Sequence, residues 1–128
     1  MDENVKIIGK YATRIKEVLN KISSPTSKDI INEGDFDIDE FYLGLGWLAN
    51  ENERVNLEEI TGIKDLNETK KNISNVLENK SKKNVATIAK NANLTSKEVY
   101  VALGSFAQQN KLIIFNGKIL QTKYSLKQ

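Results

Sequence analysis

The sequence contains no cysteine and no histidine among its 128 residues. Without cysteine the chain has no disulfide, no thiolate metal site and no cysteine nucleophile. Without histidine it lacks the commonest general base of enzymes and the usual nitrogen ligand of zinc. Because only carboxylate chemistry survives these absences, we expect no enzyme activity, no bound metal and no cofactor.

Long apolar runs are absent too, since no stretch approaches the roughly 20 apolar residues of a membrane-spanning helix. The first residues, Met1-Asp2-Glu3-Asn4, are polar and acidic, unlike the basic and then apolar start of a signal peptide. We therefore expect a cytoplasmic protein without a membrane partner. The content of 39% hydrophobic and 28% charged residues is typical of a soluble globular chain.

Acidic residues are scarce in the second half of the chain. Residues 67–128 hold 11 Lys, no Asp and 3 Glu, a net charge of +8. Residues 1–66 hold 8 Lys and Arg against 14 Asp and Glu, a net charge of -6. An asymmetry of this size indicates two surfaces with different partners.

The chain repeats itself at an offset of 58 residues without a gap. The matches fall in three separate segments: Ile15, Val18 and Leu19 with Ile73, Val76 and Leu77; Ile30 and Phe36 with Ile88 and Leu94; and Glu40, Tyr42, Leu45, Gly46 and Ala49 with Glu98, Tyr100, Leu103, Gly104 and Ala107. Such repetition predicts a duplicated supersecondary unit. The expected boundaries are 1–66 for an acidic unit and 67–128 for a basic unit.

Each unit begins with two predicted helices. Apolar residues at three- and four-residue steps between Ile8 and Ile22 predict an amphipathic first helix. Its counterpart runs from about Glu68 to Asn79. A second helix starts at Ser24-Pro25-Thr26 and stops at Gly34, and residues 84–91 match it in the second unit.

A third helix follows at helix-turn-helix spacing in both units. Asp37 precedes it in the first unit and Thr95 in the second. Glu40 and Glu98 stand three residues further on, which is the arrangement of a capping box. The third helix is therefore the best-marked helix start in each unit.

A β-hairpin closes the second unit. Residues 112–115 and 119–124 flank Asn116-Gly117, a pair that favours a two-residue type I′ turn. The first unit has a weaker version at residues 54–57 and 60–66. We therefore predict a mainly α fold with small β wings (α+β), built from two tandem winged helix-turn-helix units.

The third-helix segments carry a resemblance to a known family. Residues 41–49 (FYLGLGWLA) and 99–107 (VYVALGSFA) resemble the third-helix motif of a small winged helix-turn-helix family of bacteria and archaea without an assigned activity. The motif is mainly one of packing, so the resemblance supports the fold more than a function. It implies a nucleic-acid-binding type of domain that is not an enzyme.

Two other motifs have simpler explanations. Gly44-Leu45-Gly46-Trp47-Leu48-Ala49 matches a dinucleotide-binding fingerprint, but that fingerprint needs a preceding strand and a loop at its glycines. Here the glycines lie in a predicted helix, so we expect Gly46 and Gly104 to let the first helix approach the third. The acidic cluster from Asp29 to Glu40 lacks the order of a calcium loop and suits a helix N-terminus.

The basic unit is the candidate DNA-binding unit. Its candidate contacts lie at the start of the second helix, on the third helix and on the wing: Lys80, Lys82, Lys83, Ser96, Lys97, Gln108, Lys118 and Lys123. Lys97, Gln108 and Gln109 are the candidate base readers. Because no arginine is present there to bind guanine bidentately, we expect mostly backbone binding to double-stranded DNA.

The acidic unit is the candidate protein-interaction unit. Its candidate contacts are Asp35, Asp37, Asp39, Glu40 and Trp47. The carboxylates would repel phosphates, and Trp47 would either anchor a partner or pack between the units. We expect the acidic and basic faces to lie some 20–30 Å apart, beyond the Debye length of about 8 Å.

Two functional hypotheses remain open. The first is a DNA-binding protein, either a small transcriptional regulator or a chromosome-associated factor, whose acidic unit serves docking or dimerisation. The second is a protein–protein adaptor built from tandem winged helices, because a fold does not fix a function. Salt-dependent self-association without DNA binding would favour the adaptor.

Overall fold

The computed structural model describes residues 2–51, 55–116 and 122–127. The elements in these residues are α1 (Glu3–Lys21), α2 (Ser27–Gly34), α3 (Ile38–Asn50), α4 (Leu57–Thr61), α5 (Leu66–Val76), β1 (Lys83–Asn84), α6 (Val85–Ala92), α7 (Ser96–Gln108), β2 (Leu112–Phe115) and β3 (Lys123–Leu126). A 3₁₀ turn at Glu78–Lys80 follows α5. The fold is mainly helical with one small antiparallel sheet, which confirms the predicted α+β class.

Helix α1 is the amphipathic helix that the apolar spacing predicts. Its buried residues recur at three- and four-residue steps: Val5, Ile8, Ala12, Ile15 and Val18. The first two belong to the core of the second half of the chain, and the other three belong to the core of the first half. One helix therefore ties both cores together.

Helices α2 and α3 are joined by a tight turn. Gly34 is the last residue of α2, and the left-handed conformation falls one residue later, at Asp35 with φ 52°. The Arg14 guanidinium donates a hydrogen bond to the Gly34 carbonyl and holds this turn. Helix α3 then begins at the predicted cap, where the Asp37 amide donates to the Glu40 carboxylate over 2.9 Å.

The wing predicted for the first half is wrong. Leu57–Thr61 is the short helix α4, capped by Asn56, whose side chain accepts from the Glu59 amide. Gly62 ends it in the left-handed conformation with φ 80°. Helix capping at both ends makes this segment a turn of helix instead of a strand. Arg54 lies outside the described residues.

The second half has the element order of a winged helix: helix, strand, two helices, then two strands. The sheet order is β1-β3-β2, and both pairs are antiparallel. Helix α7 begins at the predicted capping box, in which the amides of Thr95 and Glu98 each donate to the other's side chain. The expected hairpin forms, but Phe115 pairs with Lys123, so the connection is longer than the predicted Asn116-Gly117 turn. Residues 117–121 of that connection lie outside the described residues.

Helices α3 and α7 run side by side in the same direction, and we call their contact the seam. Near their N-terminal ends, Asp39 shares a cavity with Ser96. At their C-terminal ends, the Asn50 amide donates to the Gln108 side-chain oxygen. The Ser105 hydroxyl donates to Asn50 over 3.1 Å.

Two glycines set the close approach of the seam. A Cβ at Gly46 would overlap the carbonyl of Val101, and a Cβ at Gly104 would overlap the carbonyl of Leu43. The contact is reciprocal. Val101 lies three residues before Gly104, and Leu43 lies three residues before Gly46. The expectation that these glycines face the first helix is wrong. Gly44 does that, because a Cβ there would meet Ile15 and Tyr11 of α1.

Candidate nucleic-acid interface

Helix α7 is the third helix of the second half, and it is buried along most of its length. Every residue from Val101 to Ala107 is buried. Helices α3, α5 and α6 and strand β2 all contact it. Its first turn reaches the surface, with Ser96 exposed and Lys97 half-buried, and Tyr100 and Gln108 are half-buried. A recognition helix needs an exposed face to meet base edges in the major groove, and the body of α7 has none.

The predicted base readers at the end of α7 have partners inside the protein. Gln108 accepts the hydrogen bond from Asn50 in the seam. Gln109 accepts one from the Lys70 ammonium over 2.8 Å. In both side chains the amide oxygen therefore already accepts a hydrogen bond within the protein and is not free to bind a nucleobase. This contact network depends on α3 and α5, so the sequence of α7 alone gave no sign of it.

The predicted wing lysines meet on one face of the sheet. Asn84, Lys123 and Phe115 are directly opposite one another across the three strands, so their side chains share a face. Lys82 lies two residues before Asn84 on that same face, with its ammonium 4.8 Å from the centroid of the Phe115 ring. We call Lys82, Asn84, Phe115 and Lys123 the wing face. It combines two lysines with an aromatic ring that is 40% exposed.

Three other predicted contacts lie elsewhere. Lys83 pairs with Tyr124 and therefore belongs to the opposite face of the sheet. Lys80 is exposed at the end of the 3₁₀ turn, with φ 60°. Lys118 lies outside the described residues. The structure thus brings Lys82 and Lys123 together and separates Lys83 from them.

The positive charge of the second half is not neutralised within the protein. In the described ranges, no lysine after residue 66 forms an ion pair with a carboxylate, and the ion pair found there joins Lys6 to Glu3 over 3.4 Å. Lysines on such a surface can neutralise phosphates of a nucleic acid and release the cations condensed on it. The positive charge of this surface is therefore complementary to the negative charge of a nucleic acid.

The predicted acidic contacts divide into two groups. Asp35 and Asp37 are exposed. Asp39 is also exposed and Glu40 is half-buried, and both line a cavity with Tyr124 of the second half. Trp47 is half-buried against Gly9 of α1 and contacts both cores, so it packs between the two halves and is not an exposed anchor.

Three tyrosines that the sequence analysis did not single out surround the acidic end of the seam. Burial, followed by the charges of Glu40 and Asp39, raises the pKa of Tyr11 to about 12. Burial first, and then Asp39, raises the pKa of Tyr100. Burial also raises the pKa of Tyr124, with smaller contributions from Tyr100, Asp39 and Tyr11. Tyr11 and Tyr100 at helical spacing and Tyr124 within a strand look like core residues in the sequence, so no local signal marks them.

The fold and the wing define a winged helix-turn-helix protein, a class typical of DNA-binding modules and not of enzymes. Within that class, residues 1–63 match the family model described as "Winged helix-turn-helix domain (DUF2582)", an uncharacterised family. The match covers α1 to α4 and ends before α5. No curated protein and no solved structure matches the chain.

Two further kinds of site are missing from the described residues. None of the helices there has the length and apolar character needed to cross a bilayer. The same residues also contain no group of three or more carboxylates placed to hold a metal ion.

Proposed function

We propose that this protein binds double-stranded DNA through the phosphate backbone, using the second half of the chain. Lys82 and Lys123 on the wing face and Lys97 at the start of α7 are the principal contacts. Ser96 lies beside Lys97 and adds a hydroxyl donor. The observation that carries the proposal is the wing face itself, where unpaired lysines stand beside an exposed aromatic ring on a winged helix.

The burial of α7 determines what kind of binding this is. A buried third helix cannot present side chains to base edges, so phosphate contacts supply the affinity and sequence has little influence. Such binding suits a chromosome-associated factor or a regulator that depends on another protein for its site. With about five lysines on phosphates, the slope of log K against log salt is about -4.5.

Fluorescence anisotropy of a labelled duplex of about 25 base pairs, a little over two helical turns, tests the proposal at two salt concentrations. The triple variant Lys82→Gln, Lys97→Gln and Lys123→Gln should weaken binding at low salt. It should also lower the salt slope by about 3, roughly 1 for each lost phosphate contact. A second duplex of unrelated sequence should bind the unmodified protein equally well.

A matched control keeps the change in net charge the same. Lys10, Lys21 and Lys28 are exposed lysines of the first half, and changing all three to Gln also removes three positive charges. This control variant should bind nearly as well as the unmodified protein. Equal weakening in both variants, or no binding at low salt, would contradict the proposed interface.

A protein–protein adaptor is the second candidate function. It is favoured by the seam, because both third helices are used to hold the two halves together instead of facing a ligand. In that case the exposed carboxylates Asp35 and Asp37 would meet a basic surface on another protein or another copy. Light scattering at low and high salt would then reveal salt-sensitive self-association in a protein that leaves the duplex unbound.

A further inference from the structure

Two adjoining cavities lie at the acidic end of the seam. The larger, about 310 Å³, opens at the N-terminal ends of α6 and α7. The smaller, about 200 Å³, lies between α1, α3 and β2. Asp39, Thr122 and Tyr124 line both. No described residue lining either cavity is a lysine or an arginine, although the chain has 19 of them.

Tyr124 gives these cavities an unused hydrogen-bonding group. Its residue is only 7% exposed, and its hydroxyl makes no hydrogen bond to a described residue. The described side chains include no polar atom that is sealed off without a partner, so the hydroxyl must open into the cavities. A hydroxyl that has no partner in the described residues and opens into a cavity lined by a carboxylate is available to a ligand.

The lining specifies the charge of that ligand. Asp39 and Glu40 supply carboxylates, which attract a cation and repel an anion. The tyrosine rings also favour a cation, through the negative faces of their π-systems. A bare metal ion is disfavoured because the described residues do not assemble three carboxylates around one point.

The smaller cavity also specifies the shape of the ligand. Its apolar wall consists of Ile7, Ile8, Leu43 and Ile114, and its polar wall contains Tyr11, Asp39 and Glu40. A group with a positively charged end and a short hydrocarbon chain would satisfy both walls, since the chain gains from burial while the charge keeps hydrogen-bonding partners. We propose that these cavities bind an alkylammonium group, with its nitrogen at Asp39 and Tyr124 and its chain against Ile7 and Ile114.

Titration with n-butylammonium chloride, followed by amide chemical shifts in NMR spectra, tests this inference without DNA. Sodium chloride at equal ionic strength is the reference titration. Saturable shifts should occur at Asp39, Ser96, Thr122 and Tyr124 with butylammonium only. Because a hydrogen bond to a charged group is strong, Asp39→Asn should weaken binding at least about tenfold, and Tyr124→Phe should weaken it to a smaller extent.

Asp35→Asn is the matched control. It removes the same charge from an exposed residue of the same acidic segment that lines neither cavity. Asn also tolerates the left-handed conformation found at position 35. This variant should bind butylammonium like the unmodified protein. Equal shifts with sodium chloride, or equal binding by the Asp39 and Asp35 variants, would overturn the inference.

Two sources of an alkylammonium group can be separated in the same experiment. Pentane-1,5-diamine represents a free small amine, and a peptide with one lysine between glycines represents the side chain of a partner protein. Saturable binding of the diamine alone assigns the site to small amines, and tighter binding of the peptide assigns it to a lysine of a partner. Failure of both would overturn the proposal, whatever the result with DNA.

Discussion

At the scale of the residue, Gly46 and Gly104 are the positions where the smallest change has the largest expected effect. A methyl group at Gly46 would overlap the backbone of Val101, and backbone cannot move aside as a side chain can. We therefore expect Gly46→Ala to lower the free energy of unfolding by about 1–3 kcal/mol, even though alanine is the better helix former by about 1 kcal/mol. Urea denaturation measures the difference.

Gly9→Ala is the matched control for that prediction. Its added methyl would lie 2.9 Å from Cζ2 of Trp47, a half-buried side chain that can shift. Because the gain in helix propensity then offsets the crowding, the urea midpoint should change little. A loss of stability as large as that of Gly46→Ala would mean that backbone contact at the seam has no special importance.

Tyr11 makes the protein sensitive to base. Its pKa is raised from 10.0 to about 12, first by burial and then by Glu40, so the folded state holds a proton that the unfolded chain releases. This contribution to stability is complete below pH 10 and is lost as the pH rises through about 12. The free energy of unfolding should fall in that window, and Tyr11→Phe should make the fall shallower. An unchanged pH profile in the variant would show that Tyr11 does not contribute to it.

At the scale of the element, the sequence predicts helices well because their signals are local. Thr95 and Glu98 lie three residues apart, and the capping box they form needs no partner from elsewhere in the chain. The spacing of the apolar residues in α1 likewise fixes its buried face. The strands are less predictable, since the register that joins Phe115 to Lys123 depends on pairing across the sheet.

The same distinction separates the predictable and unpredictable parts of the candidate site. Lys82 and Lys123 could be predicted as surface residues of a wing from sequence position alone. The burial of α7 could not, because it depends on α3, and the two helices meet only through the fold. The surroundings of Tyr124 could not be predicted either, because they include residues of the first half that are far away in sequence.

At the scale of the whole molecule, a carboxylate of the first half lies beside the start of a helix of the second half. Asp39 of the first half lines the same cavity as Ser96 at the start of α7. Phosphates bound by Lys97 at the start of α7 would lie near this carboxylate, whereas the described strand partners of Lys123 on the wing face are Asn84 and Phe115, which carry no charge. This arrangement favours the wing as the first point of contact with DNA.

The α1 helix and the seam have a thermodynamic consequence. Because α1 supplies residues to both cores and α3 lies against α7, neither half can lose its structure without exposing apolar surface of the other. We expect a single two-state transition in urea, in which NMR signals of α2 in the first half and of β2 and β3 in the second half disappear at the same midpoint. Gly46→Ala should move both midpoints together. Separate midpoints would mean that the halves are two folding units, whereas a common one would make this chain a single cooperative unit.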